Sequence, residues 1–299
     1  MNDYIEILSK EFDKINAKFR IISARHVNEL FEEIDSLKDT GQISIKLYDR
    51  CMSNFNKIKN LHDNHSIIIV GIPQKITILE FQHNTKKHDV VIPPSYVYRE
   101  ARKTCIDILS KVFHGKIKTV NVAYIPLKLL AVHSGLGKYG KNNICYIEGM
   151  GSFLRLEAYY LDCHVGIDNW QEKKMMEKCK DCKICIKSCP HNCIDDNCFL
   201  IKGEQCLTFF NEDDIEFPKW VTAHNALVGC MKCQINCPMN KDFIKTKNRG
   251  VVISEDETEI ILRGFKEEDY QKNVYEKIRK LDMDEYGSLL SRNLKVLLK

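Results

Sequence analysis

The chain has 299 residues, 44% of them hydrophobic, with a mean hydropathy of −0.32 and a net charge of only +4. That is room for two domains or one large one with an ordinary packed core, and the charge does not by itself call for nucleic acid. No apolar run approaches the ~20 residues of a membrane helix, and "MNDYIEILSKEFDK" carries acids with no apolar core of a signal peptide, which predicts a cytoplasmic protein with no membrane partner.

In chain order, Ile5, Leu8, Phe12, Ile15 and Phe19 predict a helix over the first twenty residues. Ser23 is expected to cap a second helix, with Val27, Leu30, Phe31, Ile34 and Leu37 on one face and Gly41 beyond its end. "SIIIVGIP" (66–73) reads as a buried strand, and a second strand is expected at about 75–82. Ser95 is expected to cap a helix running to Phe113. "IKTVNVAY" predicts a strand, "PLKLLAVHSG" a short helix, and 143–161 a β-hairpin about "EGMG". Residues 254–299 predict two or three charged amphipathic helices. Two stretches, 98–118 and 231–250, carry six basic residues against two acidic and five against one, as solvated faces or as a phosphate-binding surface.

Fourteen cysteines without an export signal argue for metal or thiol chemistry over disulfides. "CKDCKICIKSCP" (179–190) holds four of them, and "CMKCQINCP" (230–238) is a shorter echo. A Cys-x2-Cys-x2-Cys loop wraps three corners of a [4Fe–4S] cube, and in the bacterial ferredoxin run the cysteine before proline serves the other cluster. One cluster is then expected on Cys179, Cys182, Cys185 and Cys237, and a second on Cys189, Cys230 and Cys233. The missing ligand of the second is assigned to Cys206 in "KGEQCLTFF", with Cys193 and Cys198 as rivals. A zinc site on Cys179, Cys182, Cys230 and Cys233 is the alternative, but it gives Cys185, Cys189 and Cys237 no role. Cys51, Cys105, Cys145 and Cys163 are isolated and read as small buried hydrophobes.

"GLGKYG" (135–140) matches a dinucleotide fingerprint in letters but not in context, since it follows a helix and leads into a strand. It is either a tight turn or a backbone surface for an anionic or amide-rich ligand.

"SGLGKYGKNN", "GSFLRLE", the two cysteine runs, "CLTFF" and "LLSRNLKVLL" occur here in the order found in the epoxyqueuosine reductases, relatives of the reductive dehalogenases. The chain resembles that family over about residues 65 to 299. The resemblance implies an α+β chain in three parts. A nitroreductase-like, mixed α/β domain that binds cobalamin would span 1–170, a two-cluster ferredoxin-like domain 171–245, and a small helical tail 246–299. It implies two [4Fe–4S] clusters passing electrons to a base-off cobalamin lined by Ser134, Gly135, Leu136, Gly137, Lys138, Gly140, Lys141, Asn142, Thr208 and Met231. The reduced corrinoid would deoxygenate a modified tRNA base. A monomer, an external low-potential electron donor and a tRNA partner complete that expectation.

Two departures stand out. The family's catalytic aspartate falls fourteen residues before the first glycine of the loop, where this chain has Asn121. An amide cannot serve as a general acid, so Tyr124, His133 or a water would have to donate the proton. The family's Tyr-Ala-Arg-Gly-x-Asp-Tyr-His stretch is replaced by "PPSYVYREARK", so that if that tRNA base is not the substrate, Tyr96–Arg99 is where the reader of another one is expected. The competing reading is a two-cluster electron carrier or corrinoid-reducing protein with no substrate site.

Overall fold

The structure, a computed structural model, describes residues 2–55, 65–115, 120–197 and 199–299. Cys198 therefore lies outside the described residues. The described chain mixes helices and strands, the α+β class expected from the sequence. Its strands are β1 (Lys18–Ser23), β2 (Ser66–Pro73), β3 (Ile76–His83), β4 (Lys86–Ile92), β5 (Val120–Val122), β6 (Lys138–Tyr139), β7 (Cys145–Tyr146), β8 (Leu154–Leu161) and β9 (Lys247–Ile253). Contacts divide the chain into two compact units, residues 1–73 with 100–181 and residues 74–99 with 182–299.

The first unit is built on an antiparallel sheet in the order β1-β2-β8-β5. β2 is buried along nearly its whole length, which is why its sequence is continuously apolar rather than alternating. On one face Ile68, Val70, Ile72, Tyr159 and Leu161 meet Leu8 and Phe12 of the helix Asn2–Asp13 and Cys105 and Leu109 of the helix Arg99–Val112. Each such side chain contributes about 1.5–3 kcal/mol on burial, so this face dominates the unit's stability. Leu127–His133 packs on β2 and β8. Glu157 is also buried on β8, where Arg102 and Arg155 hold its carboxylate.

Several expected boundaries move. The first helix stops at Asp13, and Asn16 at φ 54° breaks it, so Phe19 belongs to β1 and not to a helical stripe. Ser23 caps a short 3-10 turn (Ala24–His26) that leads into the helix Val27–Asp39. Ile45–Ser53 is a helix that no apolar stripe announced, started by Ser44 accepting from the Leu47 N–H. Ser95 does not cap the long helix: it lies in a 3-10 turn (Pro94–Tyr96), and the helix begins at Arg99. Of the strand expected at 117–124, residues 120–122 are seen and 116–119 lie outside the described residues. "EGMG" does turn the chain, with an Ile147–Gly151 bridge, but its arms do not form a hairpin. β7 pairs with β6, and β8 pairs with β2 and β5.

The second unit has a sheet in the order β4-β3-β9. β3 and β4 form a hairpin turned at Asn84 and Thr85, both at positive φ, as a two-residue turn requires. β9 joins β3 in parallel, tying residues 76–81 to 247–253. The expected tail contains three helices, Glu255–Arg263, Asn273–Arg279 and Gly287–Leu297, with the strand β9 ahead of them. Leu79, Phe81, Val90 and Ile92 bury against Ile253, Ile261, Ile278, Leu290 and Leu294. Ser254 and Glu257 form a reciprocal capping box at the start of the first of these helices.

Candidate metal centre

In the second unit, short turns present the cysteines. Cys185 lies in the helix Ile184–Ser188 and Cys189 ends it, with Pro190 preventing continuation. Cys206 stands at the start of the helix Leu207–Asn211, and Cys233 lies in Lys232–Ile235, one turn beyond Cys230. Cys237 stands ahead of the 3-10 turn Pro238–Asn240. The helices carrying Cys185 and Cys233 pack on each other. Cys182 opens this unit, whereas Cys179 closes a 3-10 turn (Glu177–Cys179) at the end of the first.

Two of the sulfurs receive N–H donors. Cys189 Sγ accepts the Cys193 N–H at 3.3 Å, and Cys230 Sγ accepts Asn225 Nδ2 at 3.2 Å. Proximity to Cys193, more than the surrounding donors, holds Cys189 and Cys206 below the ordinary thiol range against their burial, and Cys193 itself is pushed up. Burial raises Cys230. This is a donor set suited to thiolates binding iron, because N–H···S bonds stabilise the charged sulfur. Among the described residues no three His, Cys, Asp or Glu side chains are gathered tightly enough for a single metal ion. A four-iron cube spreads its thiolates wider than one ion does.

The glycine loop belongs to the first unit, and its glycines answer to their own chain. A Cβ at Gly135 would lie 1.7 Å from the Gln171 amide. At Gly137 it would lie 2.6 Å from Cys145 Sγ and 2.9 Å from the Tyr146 carbonyl, and at Gly140 2.6 Å from the Tyr146 ring. At Gly137 and Gly140 close packing asks for a missing side chain, and at Gly135 so does the left-handed backbone, φ +71°. The side chains are engaged too: Ser134 donates to the Ala131 carbonyl, Asn142 to the Tyr146 hydroxyl and Lys141 to the Lys180 carbonyl. Leu136 is buried and Lys138 exposed. In the second unit Thr208 lies in the helix Leu207–Asn211, and Met231 is buried with its N–H on Asn225 Oδ1.

Asn121 sits on β5 opposite Tyr160, so both side chains share one face of the sheet. The Tyr160 hydroxyl is buried there without a partner among the described residues. His133 is committed elsewhere, between Glu33 Oε2 at 2.9 Å and the Gln171 carbonyl at 2.8 Å. Its ring stacks on Trp170, whose other neighbour in the stack is His26. Tyr124 is exposed, with the Arg102 guanidinium over its ring.

The Tyr96–Arg99 segment is structural. Tyr96 is hydrogen-bonded to Glu212, and its hydroxyl fills the space beside Gly229, which sits at φ +65°. Arg99 pairs with Asp282, Asp284 and Glu285. In the first basic stretch, Arg99, Arg102, Lys103 and Lys111 all face carboxylates. Sequence reasoning missed the Cys193 contact, the His26–Trp170–His133 stack and the Tyr160 hydroxyl. Only Cys193 had a signal, its spacing of four from Cys189.

No family profile matches the chain. It is 30% identical over 126 residues to the epoxyqueuosine reductase of Aliivibrio fischeri, covering 41% of this chain and 33% of that protein. It is 24% identical over 168 residues to that of Staphylococcus aureus, covering 54% and 41%. Over these stretches the chain is similar in sequence to the epoxyqueuosine reductases. The aligned stretch spans only a third to two fifths of those two proteins. The solved epoxyqueuosine reductase of Streptococcus thermophilus superposes at a TM-score of 0.65, covering 100% of this chain and 81% of that one at 18% identity. An epoxyqueuosine reductase solved with an epoxyqueuosine-modified tRNA-Tyr stem loop gives 0.68 over 99% and 81% at 15%. The fold is therefore the one these reductases have. No described helix is long and apolar enough to cross a membrane.

Proposed function

We propose that the chain is an iron–sulfur reductase of the epoxyqueuosine reductase type. One [4Fe–4S] cluster would be held by Cys179, Cys182, Cys185 and Cys237, and another by Cys189, Cys206, Cys230 and Cys233. The observation that carries this is that short turns of one unit present Cys189, Cys206 and Cys230, with N–H donors on the Cys189 and Cys230 sulfurs at 3.3 and 3.2 Å. Kinship extends the reading to a base-off cobalamin as electron acceptor and to a modified tRNA base as substrate. When bound, a corrinoid supplies a two-electron reductant, and the clusters relay electrons from an external low-potential donor.

Removing an epoxide oxygen as water takes two electrons and two protons. Asn121 can orient an oxygen by hydrogen bonding but cannot protonate it, and positioned general acids are typically worth ~10²–10⁴-fold. Wild-type protein is expected to turn over epoxyqueuosine-containing tRNA slowly, with Asn121→Asp faster. The rival reading, a two-cluster carrier, is favoured by the engaged side chains of the glycine loop.

The test is anaerobic purification with iron, sulfide and cobalt counts, electron paramagnetic resonance, and turnover of that tRNA with a chemical reductant. The reading expects about eight irons per chain, a base-off cob(II)alamin signal and loss of one cluster in Cys206→Ala. Zinc in place of iron would sink it. Eight irons with no cobalamin signal and no turnover by either protein would establish the carrier.

A further inference from the structure

The lysines beside the thiols differ from the basic residues of the helix Arg99–Val112, which face carboxylates. From Cys182 to Ile194 and from Cys230 to Lys241 the chain carries Lys183, Lys187, Lys232 and Lys241 and no acid. All four lysines are exposed. Lys183 pairs with Asp196 at 2.6 Å, but Lys187, Lys232 and Lys241 have no carboxylate partner among the described residues. The helices Ile184–Ser188 and Lys232–Ile235, which carry Lys187 and Lys232, pack on each other. Lys241 follows the turn Pro238–Asn240, directly after Cys237. Between Lys183 and Lys187, Ile184 is 39% exposed.

Electron transfer falls off steeply with distance, so a donor to an iron–sulfur cluster must dock beside its thiolates. Unpaired cations and an exposed apolar side chain on the thiol-bearing turns have the make-up of a transient protein interface. The apolar group supplies contact, and the charges steer and orient the partner. We propose that Lys187, Lys232 and Lys241, with Ile184, form the docking surface for the electron donor, and that this donor is a small acidic protein carrying one electron. In the encounter one electron passes from the reduced carrier to the cluster that Cys185 and Cys237 would hold. The carrier is oxidised, the cluster is reduced, no bond forms or breaks and no proton moves. Phosphate recognition needs cations but neither an exposed isoleucine among them nor a place beside the sulfurs. The proposal rests on the iron–sulfur reading of the cysteines.

The experiment uses the full chain, purified anaerobically with its iron. It measures the Kd for an oxidised acidic plant-type ferredoxin and the rate of reduction by the reduced one, at low salt and at ~0.15 M, where the screening length is about 8 Å. Wild type should bind more tightly and be reduced faster at low salt. Combining Lys187→Glu, Lys232→Glu and Lys241→Glu should weaken binding and slow reduction roughly tenfold at low salt, and remove most of the salt dependence. Ile184→Ala should weaken binding and keep the salt dependence. Lys86→Glu, an exposed charge on β4, should change little. Photoexcited 5-deazaflavin, which needs no docking, should reduce every variant at the wild-type rate. Glutamine at the same three positions serves if the charge reversal folds poorly. Wild type without salt-dependent binding overturns the proposal, as do reversed variants that bind like wild type. Slowing by deazaflavin as well overturns it, since the lysines would then act on the cluster and not on the partner. Loss of affinity for a tRNA stem loop, with ferredoxin binding intact, assigns the surface to nucleic acid and overturns it too. A wild-type chain without iron sinks the iron–sulfur reading itself, and the iron count separates that result before any donor is added.

Discussion

Replacing Arg102 with alanine should cripple the first unit and leave the second untouched. Glu157 is 1% exposed on β8, and Arg102 gives it two hydrogen bonds, Nε at 2.8 Å and Nη2 at 3.2 Å. Arg155 adds one more, Nε at 2.7 Å. Removing one partner of a buried ion pair costs about 3–5 kcal/mol, chiefly because the remaining charge is stranded. Arg155 remains, so the lower half of that range is expected, ~3–4 kcal/mol. With a urea m-value of about 2 kcal/mol/M for a unit of this size, the midpoint should fall by roughly 1.5–2 M. The chain's two tryptophans separate the readouts, Trp170 lying in the first unit and Trp220 in the second. In a Trp220→Phe background, emission from Trp170 should report the loss, while a Trp170→Phe background should show an unmoved transition. Converting both Arg102 and Glu157 to leucine should recover most of the stability, because an apolar pair of similar volume needs no charge compensation. A fall below about 0.5 M would refute the argument and mean that the carboxylate is solvated.

Tyr160→Phe should leave the first unit's stability unchanged or raise it by about 1 kcal/mol, since a buried hydroxyl without a partner costs more than it gives; a loss in urea unfolding would reveal a partner. Gly137→Ala should cost ~1–3 kcal/mol by overpacking against Cys145 and the Tyr146 carbonyl, and an alanine variant of wild-type stability would show the loop to be looser than described. Burial works against the His133 charge, but Glu33 and the Gln171 carbonyl outweigh it and the pKa rises, while His133 and Lys173 hold Glu33 low. The stability from His133 is thus full below its ordinary 6.5 and lost as pH climbs through the raised value, and that from Glu33 is present above 4.5 and lost as pH falls through the lowered one. Trp170 emission, quenched by the stacked imidazolium, should titrate above 6.5, and Glu33→Gln should bring that midpoint down.

β2 and the helix Leu127–His133 were legible because burial on several sides forces apolar runs that hardly another arrangement explains. The cysteine runs were legible because ligand spacing is a geometric demand. β9 was not. It is mostly exposed, and "KNRGVVI" offers only a short apolar end to mark it. Phe19 fits a 3.6-residue period as well as a strand, and it took the backbone at Asn16 to decide between them. In the glycine loop the letters show that Cβ atoms are missing, but not what occupies the space. Here the occupant is the chain itself, at Gln171, Cys145 and Tyr146. The same holds for Tyr96 and Arg99, whose partners lie more than a hundred residues away.

The parallel pairing of β3 with β9 sets a timetable for the nascent chain. Ile76 must wait for Lys247, 171 residues downstream, and at 5–20 residues per second a ribosome takes roughly ten to thirty seconds to deliver it. Throughout that interval the hairpin of β3 and β4 presents an unpaired edge carrying Ile76, Ile78, Leu79 and Phe81, the kind of template on which other chains aggregate. The first unit suffers less, since its last strand is complete by Leu161. Slowing translation between the two units, or depleting the chaperones that shield strand edges, should therefore send the second unit into aggregates before it harms the first.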